Sequence, residues 1–486
     1  MTQQQSKALL TNIALVSLGP IFASILSFLA EPWIARLWEP AVYGVGSYFN
    51  SMLQLLTPIL FLRYNFALVQ AKNEKEEANL LALSLLIMLI FLILIAVCYP
   101  LFDLMSKGRI QFSRYEFLFM AAVVMGSLSL LLRFWSSAKK RFMHISISTM
   151  ILSLSYVVLL LVFGYMGKTN EEAMIKIRAV SYIMYPLLML IDFVTRDLRK
   201  WMRNISMRGI VEAAKAYKDY PLHEYAGFVA NILAFNLPVI LIARYWGNEI
   251  TGLYAKAFTL LYMFVLILGD SVNRVFHKEV ADMINVGRDI STFVKQITLS
   301  IVSLSIVPFT MIVVAGPEIF NIFLGQRWLM SGVFAQAMAI WSFSNLLYLS
   351  ILPLYGVLNK QKQYTRFTIT TLALRAGIII VMGASNMDVV LTLYVFSIAN
   401  FVVLIWQFMY ILHVSGIEYR WTMSKVFGKI AQVLPMVAIL FLIRYLWVVD
   451  QKMYLSLALV ASSPYVYMYY IRDTKDIRRI FFKKPM

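Results

Sequence analysis

Ten charged residues stand within or at the ends of long apolar runs: Glu31, Arg36, Arg63, Arg133, Asp192, Arg244, Lys256, Asp270, Arg274 and Arg375. A charge placed in hydrocarbon costs about 2.5–3.5 kcal/mol on insertion scales, so such side chains are expected to face a polar cavity or reach an interface. Arg63 and Arg375 lie deepest in their runs, and no acid on its own helix turn can neutralise Arg63. Arg36, Arg244 and Lys256 are close enough to one end of their runs to snorkel. Arg133, Asp192 and Arg274 are close to the other end, and Asp270 and Arg274 have the i, i+4 spacing of a self-satisfying pair. Cations predominate, and planar guanidinium forks suit phosphate oxygens. The set therefore predicts a phosphate-bearing anionic ligand. Arg63, Arg274, Arg375, Arg36 and Arg244 are its candidate contacts, and Asp270, Asp192 and Glu31 are candidate proton or sodium sites.

Other chemistry finds little footing. His144, His223, His277 and His413 stand singly and form no metal-ligand spacing. Gly44-x-Gly46 follows an apolar run and lacks a third glycine, so it is no dinucleotide loop. No phosphate-binding loop of the ATPase type is present, so no cofactor is expected and any drive must come from an ion or substrate gradient. The lone Cys98 reads as helix packing.

The elements that must position these residues are membrane helices. Sixty per cent of the 486 residues are hydrophobic and 14% charged, against about 25% charged in soluble domains. Runs of the roughly 20 apolar residues needed to cross a bilayer recur near 11–38, 42–70, 78–103, 114–137, 145–166, 174–194, 223–246, 252–277, 294–315, 329–357, 365–384, 388–412, 426–447 and 453–471. The expected fold is all-α, with about 14 transmembrane helices and no room for a soluble catalytic domain. The first run is too long for the h-region of a signal peptide. Mid-run prolines (Pro20, Pro58, Pro186, Pro238, Pro308, Pro353, Pro435 and Pro464) are expected to kink their helices.

With alternate connections assigned to opposite sides, 29 of the 44 Lys and Arg residues fall with the termini and 12 on the other side. The positive-inside rule then predicts that both termini are cytoplasmic. The net charge of +19 is spread over these loops rather than gathered in a patch, which speaks for a membrane and against nucleic acid.

A repeat divides the chain. Ile34-Ala35-Arg36-Leu37-Trp38, followed by Gly44, returns as Ile242-Ala243-Arg244-Tyr245-Trp246, followed by Gly252, at a constant offset of 208 residues. Six runs separate the copies, so both share one orientation, as in parallel transporter halves facing a central cavity. The expected organisation is a six-helix lobe over 1–195, a basic interfacial linker over 196–222, a second six-helix lobe over 223–413, and two extra helices with a basic tail over 414–486. The linker, beginning Arg196-Asp197-Leu198-Arg199-Lys200-Trp201, is expected to lie on anionic headgroups.

The residues Ile34–Pro40 with Tyr43-Gly44, then Leu62-Arg63-Tyr64-Asn65-Phe66-Ala67-Leu68-Val69 with Asn79–Ser84, resemble the first helices of oligosaccharide flippases. Tyr217–Leu222, Asn236-Leu237-Pro238-Val239, Gly252-Leu253-Tyr254, Trp328–Phe334 and Gly356–Gln361 continue the likeness. Asn65 departs from it, standing where many relatives carry an acid. The family belongs to the superfamily that holds multidrug exporters and lipid II flippases. The resemblance implies two six-helix lobes plus two C-terminal helices, and transfer of undecaprenyl-pyrophosphate-linked sugar units across a bacterial inner membrane for O-antigen, capsule or exopolysaccharide assembly. Expected partners are that lipid-linked glycan, membrane lipids, and glycan polymerase and chain-length proteins. The alternatives are a small-molecule exporter of the same superfamily and a membrane glycan polymerase or ligase.

Overall fold

A computed structural model describes the backbone of residues 3–106, 115–446 and 450–472. Within these, the side chains of 3–17, 98–106, 267–275, 277, 278, 281, 285, 471 and 472 lie outside the described set. All the described elements are helical, and the described residues contain no strand. The first helices are α1 (Gln3–Leu37), α2 (Pro40–Ile59), α3 (Tyr64–Ala67), α4 (Glu74–Ser106), α5 (Glu116–Ala138), α6 (Phe142–Tyr165), α7 (Glu171–Met184), α8 (Leu187–Arg196), α9 (Leu198–Asn204) and α10 (Met207–Ala216). There follow α11 (Tyr225–Asn285), α12 (Ser291–Leu324), α13 (Leu329–Ser350), α14 (Pro353–Val357), α15 (Gln361–Ala384), α16 (Val389–Val414), α17 (Tyr419–Trp421), α18 (Gly428–Leu446) and α19 (Gln451–Val466).

Eleven of the described stretches are long and apolar enough to cross a bilayer, and the bent pair Pro40–Ile59 and Tyr64–Gln70 adds a twelfth. The stretch Tyr220–Leu266 has 47 residues, about twice what one crossing needs at 1.5 Å per residue. It breaks at Gly247, where φ is 85°, a left-handed conformation that glycine adopts without penalty. Split there, and with α19 continued by a π-helical segment to Arg472, the architecture accommodates the expected fourteen helices. Many apolar side chains face outward. On α4, Leu86, Leu89, Ile90, Ile93, Leu94 and Val97 are all exposed, an arrangement that is costly in water and favourable in lipid.

The chain folds as two compact units, residues 1–252 and 253–486. In the first, α1 packs on α6, and α2 packs on α5 and α7. Its core gathers Phe49, Phe119, Leu131, Trp135 and Phe193, with Phe49 and Phe119 edge to face at 5.4 Å. In the second, α12 and α13 form the most enclosed pair of spans. Helices α18 and α19 dock on α12. There Arg444 meets the buried Glu318 at 3.0 Å, Asn321 donates to Gln451, and Lys429 donates to Ser303.

The two copies of the repeated motif meet inside the first unit. A Cβ at Gly44 would stand 1.8 Å from the carbonyl oxygen of Asn248, and one at Gly252 would stand 1.8 Å from that of Pro40. Pro40 and Asn248 are themselves related by the same offset of 208 residues. Each glycine is therefore required by backbone of the other copy. A side chain at either would force the backbones apart.

The linker is built from short pieces. It forms two short helices, broken at Ile205 and restarted at Ser206, whose hydroxyl caps α10 by accepting from the Gly209 amide. Both are strapped to α4. Asn79 donates to the Asn204 carbonyl and accepts from the Ser206 amide, and Trp201 donates its indole N–H to the Ala78 carbonyl. Tyr217 donates to Glu76 at 3.1 Å. Burial, and then the Glu76 carboxylate, push the Tyr217 phenol up to about 12. Indole, amide and hydroxyl groups face α4, while α9 keeps its basic side chains outside the fold: Arg199, Lys200 and Arg203 are exposed.

Candidate substrate-binding site

Helix α2 ends at Ile59, and the chain turns by 61° before α3. Two consecutive non-glycine residues make this turn in left-handed conformations, Leu62 at φ 47° and Arg63 at φ 68°. Each costs about 1–2 kcal/mol relative to a right-handed residue, so the surroundings must over-determine them. Leu60 and Phe61 are almost fully buried and anchor the turn. The carbonyl of Ile59, released by the break, accepts a hydrogen bond from the Tyr225 hydroxyl at 3.1 Å. The Tyr64 hydroxyl donates to the Ala214 carbonyl at the end of α10.

This turn presents Arg63. Its guanidinium carbon lies 3.7 Å from the centroid of Phe66 and 4.5 Å from that of Phe228. The two rings meet edge to face at 6.1 Å, and Phe134 backs Phe66 at 4.4 Å. The arginine is thus gripped by aromatic rings that fix its orientation without neutralising it. Its Nη2 donates to Oε2 of Glu224 at 2.9 Å, with the arginine side chain 16% exposed and the glutamate 53%. Nε is enclosed and has no hydrogen-bond partner, and the Oδ1 of Asn65, two residues on and buried, has none either. The arrangement is a guanidinium fixed at a helix break, with one edge paired to a half-exposed carboxylate.

The other candidates occupy different settings. Arg375, 3% exposed on α15, donates Nε to Oδ1 of Asn400 at 2.7 Å and lies over Trp341 at 5.2 Å. Asn400 in turn donates to the Phe396 carbonyl. Arg36 and Arg244, equivalent positions of the repeat, are both exposed, and Arg36 donates to the Pro32 carbonyl. Arg133 is exposed too, whereas Lys256 is fully buried with its ammonium 4.8 Å from the Trp328 ring. Glu31 is buried on α1. Asp270 and Arg274 lie on α11, and their side chains fall outside the described residues.

Asp192 sits in a basic knot, 2.7 Å from Arg141, 3.2 Å from Arg196 and 3.7 Å from His144. The same Arg141 grips Asp197 through two hydrogen bonds, at 2.6 and 3.0 Å, and Trp135 donates its indole N–H to Asp197. Burial of Asp197 is the largest single influence and pushes its pKa up. The hydrogen bonds from Arg141 and Trp135, with nearby positive charge, together outweigh it and hold the carboxyl below the ordinary range. The hydrogen bonding that Arg141 donates to Asp197 is the largest influence on it, and with Asp192 it outweighs burial and raises the guanidinium above its ordinary value. A polar cavity of about 170 Å³ opens beside this knot, with Glu74 and Asp197 offsetting Lys139, Arg141 and Lys200 on its walls. Among the described residues no cluster of His, Cys, Asp and Glu could hold a metal ion.

Sequence spacing singled out Arg63 but missed what surrounds it. Glu224 is 161 residues away in sequence, and Phe66 and Phe228 read as ordinary apolar positions. The signal that could have found Glu224 is its place as an acid opening the seventh apolar run.

Helices of this length, many with apolar outer faces, define a polytopic membrane protein. The profile of a family described as polysaccharide biosynthesis proteins matches residues 9–276, more than half of the chain, and the chain belongs to that family. Two solved structures share its fold. The lipid II flippase MurJ in an inward closed conformation has 12% identity and a TM-score of 0.69, with 97% of this chain and 100% of that one covered. An inward-facing multidrug resistance MATE family transporter of the MOP superfamily has 14% identity and a TM-score of 0.60, with 81% of this chain and 95% of that one covered. No curated protein matches the chain.

Proposed function

We propose that this chain is a flippase that moves undecaprenyl-pyrophosphate-linked oligosaccharide units from the cytoplasmic to the outer leaflet of a bacterial inner membrane, with both termini in the cytoplasm. Family membership, and a fold shared with a lipid II flippase, support a lipid-linked glycan as the cargo. The observation that carries the reading is Arg63, placed at the break after α2 with its plane held by Phe66 and Phe228 and one edge paired to the half-exposed Glu224. Guanidinium groups bind phosphate oxygens through paired charge-assisted hydrogen bonds, and an arginine maintained inside a membrane span marks a substrate path. The duplicated halves would expose the seat to each leaflet in turn. A ligand shifts such an equilibrium only by its differential affinity for the two states, so the seat must hold the headgroup without favouring one face strongly. No step of this cycle makes or breaks a covalent bond, so the proposed role is transport rather than catalysis.

The test is lipid extraction from a deletion strain with its glycan synthesis genes intact, probing leaflet sidedness with a periplasmic sugar-cleaving enzyme. The expected result is complete repeat units protected on the cytoplasmic side, rescued by the wild-type chain and not by Arg63→Ala. Units accumulating on the periplasmic side would replace this reading with a polymerase or ligase. No accumulation, in a strain without a second flippase, would replace it with export of a small molecule.

A further inference from the structure

Arg63 already holds an anion, and that anion belongs to the chain. Glu224 closes a π-helical turn, Tyr220–Glu224, that leads into α11, and its carboxylate occupies Nη2 of Arg63 at 2.9 Å while remaining more than half exposed. Resting on the proposed function, we infer that Glu224 is an exchangeable internal ligand that occupies the diphosphate seat on Arg63 and re-enters it to release the lipid headgroup.

Three features carry this. The guanidinium is pinned by Phe66 and Phe228, so its plane stays in place whichever anion sits at its edge. Exchange therefore requires no rearrangement of the arginine. The carboxylate sits on the solvated side, where an ion pair is weak and readily displaced. Its backbone lies in a π-helical turn, a rare and wide geometry that recurs at functional sites. A competing internal carboxylate lowers the apparent affinity by the fraction of seats left open. This tax falls on every anionic ligand alike, and it returns as faster release. A carrier that must give up its cargo gains from that trade.

Binding of undecaprenyl diphosphate to the detergent-purified full-length chain tests the inference. Glu224→Gln is expected to tighten binding by about tenfold, the scale of one displaced charge-assisted contact, and to slow transport in cells through retarded release. Glu224→Ala should do the same, and because the residue is exposed both variants should fold. Removing any nearby negative charge would also tighten binding, so the deciding measurement is a double-mutant cycle. On the Arg63→Ala background, Glu224→Gln should bring no gain. A gain that persists there, or a Glu224→Gln chain that binds no tighter than wild type, overturns the exchange. If Arg63→Ala alone binds as tightly as wild type, Arg63 is not the seat, and the proposed function loses its site whatever Glu224 does.

Discussion

Arg63 in the first unit and Arg375 in the second are both intramembrane arginines flanked by aromatic rings, yet they are built for opposite ends. Arg375 sits in an unbroken helix, 3% exposed, with Nε satisfied by Asn400 and Asn400 satisfied by the Phe396 carbonyl. Arg63 sits on a strained left-handed turn, with Nε enclosed and unpartnered and one edge paired to an exposed carboxylate. The first is a closed clamp that ties α15 to α16. The second keeps backbone strain at a helix break and pairs its guanidinium with a carboxylate that stays half exposed. Depth in an apolar run, the property that singles out both residues in the sequence, does not separate a clamp from a seat; the partners do.

The widest predicted gap between the two is in transport. Arg63→Ala is expected to cut glycan export by roughly 100-fold, the upper scale for losing a charged hydrogen bond to phosphate, at unchanged membrane abundance. A well-expressed Arg63→Ala chain exporting at wild-type rate would collapse the distinction. The second contrast is stability. Arg375→Ala orphans the buried Asn400 acceptor, at a cost of about 1–3 kcal/mol, and empties a guanidinium-sized volume beside Trp341. Its thermal midpoint in detergent should fall clearly below that of Arg63→Ala. Should Arg375→Ala melt with the wild type, the clamp reading is lost.

A finer contrast is expected at the turn itself. Arg63→Gly removes a side chain from a residue at φ 68°, where glycine avoids a penalty of about 1 kcal/mol. That variant should melt at or above the wild-type midpoint while failing to transport, and a large drop in its midpoint would mean that the arginine holds the turn together. The smallest effect concerns pH. Asp197 is held below the ordinary carboxylate pKa by Arg141 and Trp135. It therefore contributes stability that is present above the unfolded value of about 3.9 and is lost as pH falls through the lower folded value. Acidification below about pH 4 should raise hydrogen exchange in α9 before it affects α15, since the Arg375 partner is an amide and does not titrate. Simultaneous exchange in both would remove the link between Asp197 and the strap.

Much of this was legible in the sequence, and the remainder has identifiable causes. Apolar run length locates the membrane helices, because hydrocarbon thickness sets a minimum that no loop meets. The repeat places Gly44 and Gly252 in equivalent positions, but only the structure brings them together. The break in α2 is hidden: Leu62 and Arg63 carry neither glycine nor asparagine at their left-handed positions, and Pro58 alone hints at a disturbance. Glu224 is hidden because ion pairing across 161 residues leaves no local pattern. The strap on α4 is hidden because Asn79, Trp201 and Tyr217 act through backbone carbonyls, backbone amides and a single carboxylate.

The reciprocal contact of Gly44 with Asn248 and of Gly252 with Pro40 has the form of an isologous dimer interface, in which one residue touches a second and the equivalent of the second touches the equivalent of the first. Carried inside one chain, such a contact ties the two motif copies to each other. Each copy of the motif occupies the clearance that the other needs. Substitution at either glycine would be tolerated only with a retreat of backbone in the other motif copy, some two hundred residues away in sequence, so a change at one should need a compensating change at the other.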